Sequence, residues 1–155
     1  MQDLLEIARL KKQLEELVQE TFGTTNLNVP GALSEDSFAR FMTEYTGNEM
    51  TVYGGNTKGF DVRDEDTGLT YEVKSTSTSV KAYNYGNLVG KDANFAVFIK
   101  WNYGGLMDLD YCLVYPMEVV QQHLNEKYKR FTSTALKRTL HLAEDLTKEF
   151  KQFIE

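Results

Sequence analysis

The chain has 155 residues, of which 41% are hydrophobic and 26% are charged, and this length and composition predict one globular domain. No apolar run approaches the roughly 20 residues that span a bilayer, so we expect no membrane partner. Its single cysteine, Cys112, excludes an internal disulfide framework and predicts a cytoplasmic location, and two histidines are too few for an ordinary structural zinc site. The net charge of −6 argues mildly against nucleic acid, although the acidic excess lies mainly in the first third of the chain.

The N-terminal segment, residues 1–23, predicts an amphipathic helix over about residues 3–21. Ile7, Leu10, Leu14 and Leu17 recur at the a/d spacing of about two heptads. Two heptads are short for a coiled coil, so the stripe fits either packing on the helix's own domain or a dimer interface. We favour the dimer interface and expect a homodimer.

The next elements are a linker, a second helix and a short strand. Residues 24–33 read as a loop, and Ser34 is placed as the N-cap of a helix over about residues 35–46. A strand near residues 50–53 and a glycine-rich turn at 54–56 follow.

After a central hairpin at residues 59–75, the pattern of apolar residues predicts four further elements. They are strands at 94–103 and 110–115, a helix from Pro116 to about residue 130, and a final helix over 134–154. The order of helices and strands predicts a single domain, residues 1–155, of the α/β (α+β) class, in which helices flank a mixed central sheet.

The hairpin carries the most informative residues. Alternating apolar and polar side chains flank Asp66-Thr67-Gly68, and a turn centred there places Asp61 opposite Glu72. Since side chains alternate across a strand, Asp61, Glu72 and Lys74 are predicted on one face. The other face, predicted to be the core face, takes Phe60, Val62, Tyr71 and Val73.

Two facing carboxylates and an ammonium group indicate a specific chemistry. Carboxylates held on rigid strands suit Mg²⁺, and a neighbouring lysine can serve an attacking water and neutralise charge on a phosphoryl transition state. The same three groups also fit a solvated ion-pair network. Pairing geometry alone leaves both interpretations open.

A family resemblance favours the first interpretation. Gly59-Phe60-Asp61, followed after ten residues by Glu72-Val73-Lys74-Ser75, resembles the PD-(D/E)XK signature of the restriction-endonuclease-like superfamily, and the string is similar to small homodimeric type II restriction endonucleases. The resemblance covers roughly residues 34–120, the expected catalytic core. It implies a homodimeric endonuclease that hydrolyses double-stranded DNA with Mg²⁺, for which Mn²⁺ could substitute.

The resemblance also implies roles for individual residues. Asp61, Glu72 and Lys74 would be catalytic, with the metal held by Asp61, Glu72 and the backbone carbonyl of Val73. Phe60 replaces the motif's proline, and Lys58 occupies the neighbourhood where some members carry an extra acid. Glu35, on the preceding helix, is the best candidate for a further metal ligand, although an acid in a helix's first turn is also expected for dipole reasons.

The polar stretch after Lys74 is the expected DNA-contacting region, because hydroxyl, amide and tyrosine groups suit groove contacts. A polar loop with an edge strand is the alternative interpretation. The DNA-binding candidates are Lys58, Ser75, Ser77, Lys81, Tyr83, Asn84, Tyr85 and Asn87.

Two other functions are compatible with the same residues. A junction resolvase or phage recombination nuclease would use the same chemistry. A nucleic-acid-binding module could have the same fold without cleavage.

Overall fold

A computed structural model describes residues 1–22, 31–53, 59–103 and 107–155. The elements in chain order are α1 (Gln2–Phe22), α2 (Gly31–Thr46), β1 (Met50–Val52), β2 (Val62–Asp64), β3 (Thr70–Thr76), β4 (Asn84–Tyr85), β5 (Phe95–Trp101), β6 (Leu109–Pro116), α3 (Met117–Gln122), β7 (Phe131–Thr132), α4 (Ser133–Arg138), a 3₁₀ turn (Leu140–Leu142), β8 (Glu144–Asp145) and α5 (Thr147–Ile154). None of the helices in these ranges is long and apolar enough to cross a bilayer.

Six strands form the central sheet in the order β1-β2-β3-β5-β6-β8. Only β3 and β5 pair in parallel, and the other neighbours are antiparallel. β4 and β7 form a separate two-stranded sheet. The predicted class is therefore confirmed: a mixed central sheet flanked by helices.

The sheet is buried on both faces, which explains the nearly continuous apolar run of β5. Val97 and Ile99 contribute to one core cluster, together with residues of α1, α2 and α5, whereas Ala96 and Phe98 contribute to a second cluster with α3 and α4. A sheet covered on both faces has little solvated surface on its central strands. Any polar side chain on β3 must therefore find partners inside the fold.

The helix α1 agrees with its prediction and uses two different stripes. Leu4 and Ala8 are buried against the first core cluster. The heptad stripe of Ile7, Leu10, Leu14 and Leu17 instead lies in solvent, with each side chain about half exposed. The leucine stripe is therefore not used to pack α1 on its own domain.

The predicted start of α2 at Ser34 is wrong. The helix begins at Gly31, inside the predicted linker, whose earlier residues, like the turn at 54–56, lie outside the described residues. Ser34 is fully buried, and its hydroxyl accepts a hydrogen bond of 2.9 Å from Trp101 Nε1. The hydroxyl satisfies a buried indole donor, which a local capping pattern cannot reveal.

The predicted helix to residue 130 is also too long, because α3 ends at Gln122. Asn125 organises a turn after it: its side-chain oxygen accepts from the backbone N–H groups of Tyr128 and Arg130, and its own N–H donates to the Arg130 carbonyl. The chain then enters β7 and pairs with β4.

The predicted continuous helix over 134–154 is wrong as well. α4 ends at Arg138, where the Thr139 hydroxyl donates to the Ala135 carbonyl at 2.7 Å. The chain then forms β8, which extends the sheet along β6, before α5 begins. The helical spacing of apolar residues is real on either side of the break. The pairing of β8 with β6 at the edge of the sheet interrupts the helix at this point.

Candidate active site

The hairpin of β2 and β3 has the predicted register. Val62 faces Tyr71 and Arg63 faces Thr70. Gly68 takes a positive φ of 78° in the turn, a conformation that costs glycine little. The turn chemistry therefore aligned the two strands as the sequence indicates.

Asp61 departs from the predicted alternation. Its backbone N–H donates to the carbonyl of Tyr71, the residue that already faces Val62, so the regular ladder ends at Val62. Phe60 consequently packs against the second core cluster rather than beside Val62. The Asp61 carboxylate turns towards β3, where its Oδ2 accepts a 2.8 Å hydrogen bond from the N–H of Val73.

Glu72 is the most deeply buried acid of the site, at 2% exposure. Its Oε1 lies 2.9 Å from Lys74 Nζ and 3.4 Å from Lys91 Nζ. Two ammonium groups on a single carboxylate oxygen compensate for the loss of water around it. Glu72 and Lys74 form an ion pair as predicted, and the pair lies in a buried environment rather than in solvent.

The electrostatics connect Glu35 and Asp61 to the same cluster. Burial raises the pKa of the Glu35 carboxyl to about 7, and the negative charges of Asp61 and Glu72 act in the same direction, with Lys74 opposing them. Burial also raises the pKa of Asp61. The negative charge of Glu72 raises this pKa further, whereas the hydrogen bond from the Val73 N–H lowers it. Carboxylates that raise one another's pKa in a partly buried place are typical of functional sites.

The donor set fits a hard divalent cation. Asp61 and Glu72 supply carboxylate oxygens, the ligands that Mg²⁺ prefers. Within a strand, the N–H and C=O of one residue point towards the same neighbour, so the Val73 carbonyl lies on the side where its N–H meets Asp61. In the described ranges no three His, Cys, Asp or Glu side chains are grouped closely enough to hold a metal by themselves. A cation here would need water or substrate oxygens to complete its ligands.

An open groove lies beside these residues. It has a volume of about 750 Å³ and is lined by Gly59, Phe60, Thr70, Val89, Gly90, Lys91 and Asp92. Lys91 connects the groove to the buried Glu72, because it is a lining residue and its Nζ lies 3.4 Å from Glu72 Oε1, whereas Asp61, Glu72 and Lys74 do not line the groove themselves.

The DNA-binding candidates differ in their exposure to solvent. Asn84, Lys81 and Asn87 are exposed, and Ser75, Ser77 and Tyr83 are half-buried, whereas Lys58 lies outside the described residues. Asn84 Oδ1 already accepts a hydrogen bond from Arg130.

Tyr85 must be removed from the DNA-binding candidates. It is 3% exposed, packs in the second core cluster and shares a 2.7 Å hydrogen bond with the Tyr111 hydroxyl. Its side chain is not available for a groove contact.

Lys91 is the residue that the site assignment from sequence omitted. It lies in the polar stretch after β3, where nothing in the local spacing relates it to Glu72. Two hydrogen bonds from the Gln121 amide, to the carbonyls of Leu88 and Lys91, hold this part of the loop against α3. A glycine followed by lysine in a loop after the motif is the only sequence signal, and it is weak.

Neither protein-family models nor curated protein sequences give a match to this chain.

Proposed function

We propose that this protein is a Mg²⁺-dependent endodeoxyribonuclease of the restriction-endonuclease-like fold, acting on double-stranded DNA as a type II restriction enzyme. The observation that carries the proposal is the convergence of Asp61, Glu72 and Lys74 at the base of one hairpin, beside an open groove. An acid–acid–lysine cluster on adjacent strands is a costly arrangement unless it binds something charged.

Asp61, Glu72 and the Val73 carbonyl would hold the metal, and Glu35 would become a further ligand only on losing its proton and moving closer to these two acids than it lies in this structure. A divalent cation bound there supplies charge neutralisation at the phosphate and a more acidic water. The Val73 N–H fixes one oxygen of Asp61, which leaves the other oxygen for the cation. The buried surroundings of Glu72 keep bulk water from competing with substrate.

Lys74 is the residue assigned to the attacking water. Its ammonium can donate a hydrogen bond to that water and offset negative charge in the transition state. The water oxygen forms a bond to phosphorus while the bond from phosphorus to the leaving sugar oxygen breaks. The leaving oxygen takes up one proton and the water loses one, so the reaction is a balanced hydrolysis.

A homodimer would let two such sites cut both strands of a duplex. The exposed leucine stripe of α1 supports this arrangement, because its opposite stripe is already used on the protein's own core. A two-fold pairing of two copies would bury four large apolar side chains from each copy. If the two helices pair in parallel, Glu6 stands at a g position and Lys11 at an e position of the partner helix, where they could form a charge pair in exchange for their contacts with Arg9 and Glu15 on their own helices.

Plasmid DNA tests the chemistry. The wild-type chain should cleave supercoiled plasmid with Mg²⁺ or Mn²⁺ and should not cleave it with EDTA. Discrete fragments support restriction, and preferential cutting of four-way junctions over linear duplex would support a resolvase. DNA binding without cleavage under any divalent metal refutes the nuclease and favours the non-catalytic module.

The oligomeric state is tested separately. Leu10→Glu with Leu14→Glu should convert a dimer into a monomer by light scattering, and double-strand cleavage should fall relative to nicking. Gln2→Glu with Gln19→Glu adds the same charge to exposed positions of the same helix that lie away from the leucine stripe, and it should leave the dimer intact. A wild-type chain that is monomeric at all concentrations overturns the dimer.

A further inference from the structure

We propose that Lys91 is a phosphate-binding residue of this site, one that holds Glu72 in the free protein and binds a phosphate oxygen of the DNA strand in the complex. The inference rests on the proposed function and adds a residue that the motif does not contain.

The first observation is that two cations share the carboxylate of Glu72. Lys74 Nζ at 2.9 Å already gives the carboxylate a close charged partner on its own strand. Lys91 Nζ, at 3.4 Å, is a second and looser partner for the same oxygen, and it comes from a different segment of the chain. A single carboxylate needs one ammonium for neutrality, so the second ammonium balances the neighbouring charge of Asp61, a balance that a bound divalent cation would take over.

The second observation is the position of Lys91 at the boundary between the buried acids and the groove. The side chain is partly exposed and lines the groove together with Gly59 and Phe60, which lead into Asp61. A polynucleotide strand lying in the groove would therefore reach Lys91 next to the acids. A partly exposed lysine that lines a groove and whose ammonium contacts an adjacent buried carboxylate is placed as an anion ligand.

The third observation is that the backbone around Lys91 is held in place. Gln121 donates to the Lys91 carbonyl at 3.2 Å, and a Cβ on Gly59 would lie 3.3 Å from the N–H nitrogen of Asp92. The main chain is thus held against α3 by Gln121 and passes close to Gly59, while the four-carbon side chain of Lys91 keeps its rotational freedom. Lys91 can change partner without moving the loop.

Charge balance gives the reason for that change. In the free protein the charges of Asp61 and Glu72 are matched by Lys74 and Lys91. With a divalent cation bound, Glu72 would no longer need two ammonium partners. Lys91 would then be available for the phosphodiester, on which negative charge grows during hydrolysis.

The test compares wild type, Lys91→Ala, Lys91→Arg and a control, Lys148→Ala, an exposed lysine on α5. Binding is measured with a fluorescein-labelled duplex of mixed sequence in Ca²⁺ over a series of salt concentrations. Mn²⁺ binding is measured by titration calorimetry without DNA, and melting temperatures are recorded for all four proteins.

For Lys91→Ala we expect DNA affinity to fall about 10- to 100-fold, as for loss of a hydrogen bond to a charged group. The slope of log affinity against log salt should fall by about one, because one phosphate contact is lost. Mn²⁺ affinity should stay equal or increase, since a cation that competes for Glu72 has gone. Lys91→Arg should restore most of the affinity and the salt slope, and Lys148→Ala should match wild type.

Unchanged DNA affinity and salt slope in Lys91→Ala would overturn the inference. So would a joint loss of Mn²⁺ affinity and melting temperature, which would make Lys91 a residue that only positions Glu72. A wild-type chain that binds DNA but never cuts it refutes the nuclease. In that case the salt dependence of DNA affinity in Lys91→Ala still shows whether Lys91 contacts a phosphate. A wild-type chain that does not bind DNA overturns both.

Discussion

The tip and the base of the hairpin each bury a carboxylate to 2% exposure, yet they satisfy it in opposite ways. At the tip, Asp64 accepts from the Asn48 side-chain amide at 2.9 Å and from the backbone N–H groups of Asp66 and Thr67 at 2.9 and 3.1 Å. At the base, Glu72 is held by the ammonium groups of Lys74 and Lys91.

The difference is the one expected between a structural acid and an acid of the proposed active site. Neutral donors from its own turn and a neighbouring loop make Asp64 part of the turn, and nothing charged is left over. Charged partners from two segments leave Glu72 in a site that can exchange one cation for another. Burial alone therefore does not distinguish the two acids, but the chemistry of their partners does.

The largest expected effect is at the base. Lys74→Ala should lower plasmid cleavage by about 100- to 10,000-fold, because the group serving the attacking water is removed. Lys91 would still pair with Glu72, so we expect the melting temperature to change by only a few degrees. Initial cleavage rates and thermal denaturation check this. Normal cutting by the folded variant would show that the site is assigned to the wrong residues.

The matching change at the tip should act on stability instead. Asp64→Ala removes the acceptor of three hydrogen bonds and should lower the free energy of unfolding by about 1–2 kcal/mol, as for loss of a capping side chain. Asp64→Asn keeps an acceptor oxygen and should cost less. Urea denaturation measures the loss. A large fall in cleavage rate per folded molecule would contradict the separation of tip and base.

Two glycines sharpen the comparison further. Gly59 at the base and Gly68 at the tip have nearly equal φ values of 79° and 78°, so alanine at either should cost about 1–2 kcal/mol of backbone strain. Only at Gly59 does the added Cβ meet the backbone of the Lys91–Asp92 segment, at 3.3 Å; at Gly68 the nearest atom is 4.0 Å away.

Gly59→Ala should therefore also reduce cleavage by the folded fraction, and Gly68→Ala should not. Denaturation and cleavage assays on both variants separate the two effects. Equal cleavage by the two variants after correction for stability would remove the argument that Gly59 positions the site.

A different kind of effect should be a pH dependence of stability in the metal-free protein. The Glu35 pKa rises from 4.5 in the unfolded chain to about 7 in the fold, so between these values the folded state holds a proton that the unfolded state has released. The contribution of Glu35 to stability is therefore fully present below pH 4.5 and is lost as pH rises through 7.

Glu35→Gln should flatten this dependence, whereas Glu44→Gln, at an exposed position of the same helix, should leave it unchanged. Urea midpoints measured in EDTA across this pH range check both variants. An identical decline in wild type and Glu35→Gln would show that Glu35 does not carry a raised pKa.

Several features could be predicted because they depend on neighbours in the chain. The turn around Gly68 sets the register of β2 and β3, and the alternation of side chains along β3 places Glu72 and Lys74 on one face. The helix α1 and the strands β5 and β6 follow from apolar periodicity or from an unbroken apolar run. Each of these needs only the chemistry of residues within a few positions.

Other features depended on segments far apart in sequence. The break between α4 and α5 follows from the pairing of β8 with β6, and the buried hydroxyl of Ser34 follows from Trp101. Tyr85 is in the core because β4 pairs with β7. Local propensity carries no information about such partners. The apolar spacing alone therefore predicts one continuous helix over 134–154, across the segment that forms β8.

The amino-acid sequence by itself determined the hairpin, its acid–acid–lysine motif and the mixed class of the fold, because turn chemistry and side-chain alternation act over a few residues. Only the tertiary structure decided that Glu72 is buried, that Asp61 leaves the regular ladder to bind the Val73 N–H, and that Lys91 meets Glu72. Those outcomes depend on which surfaces cover the sheet, and burying a charge forces partners together from wherever the chain can supply them.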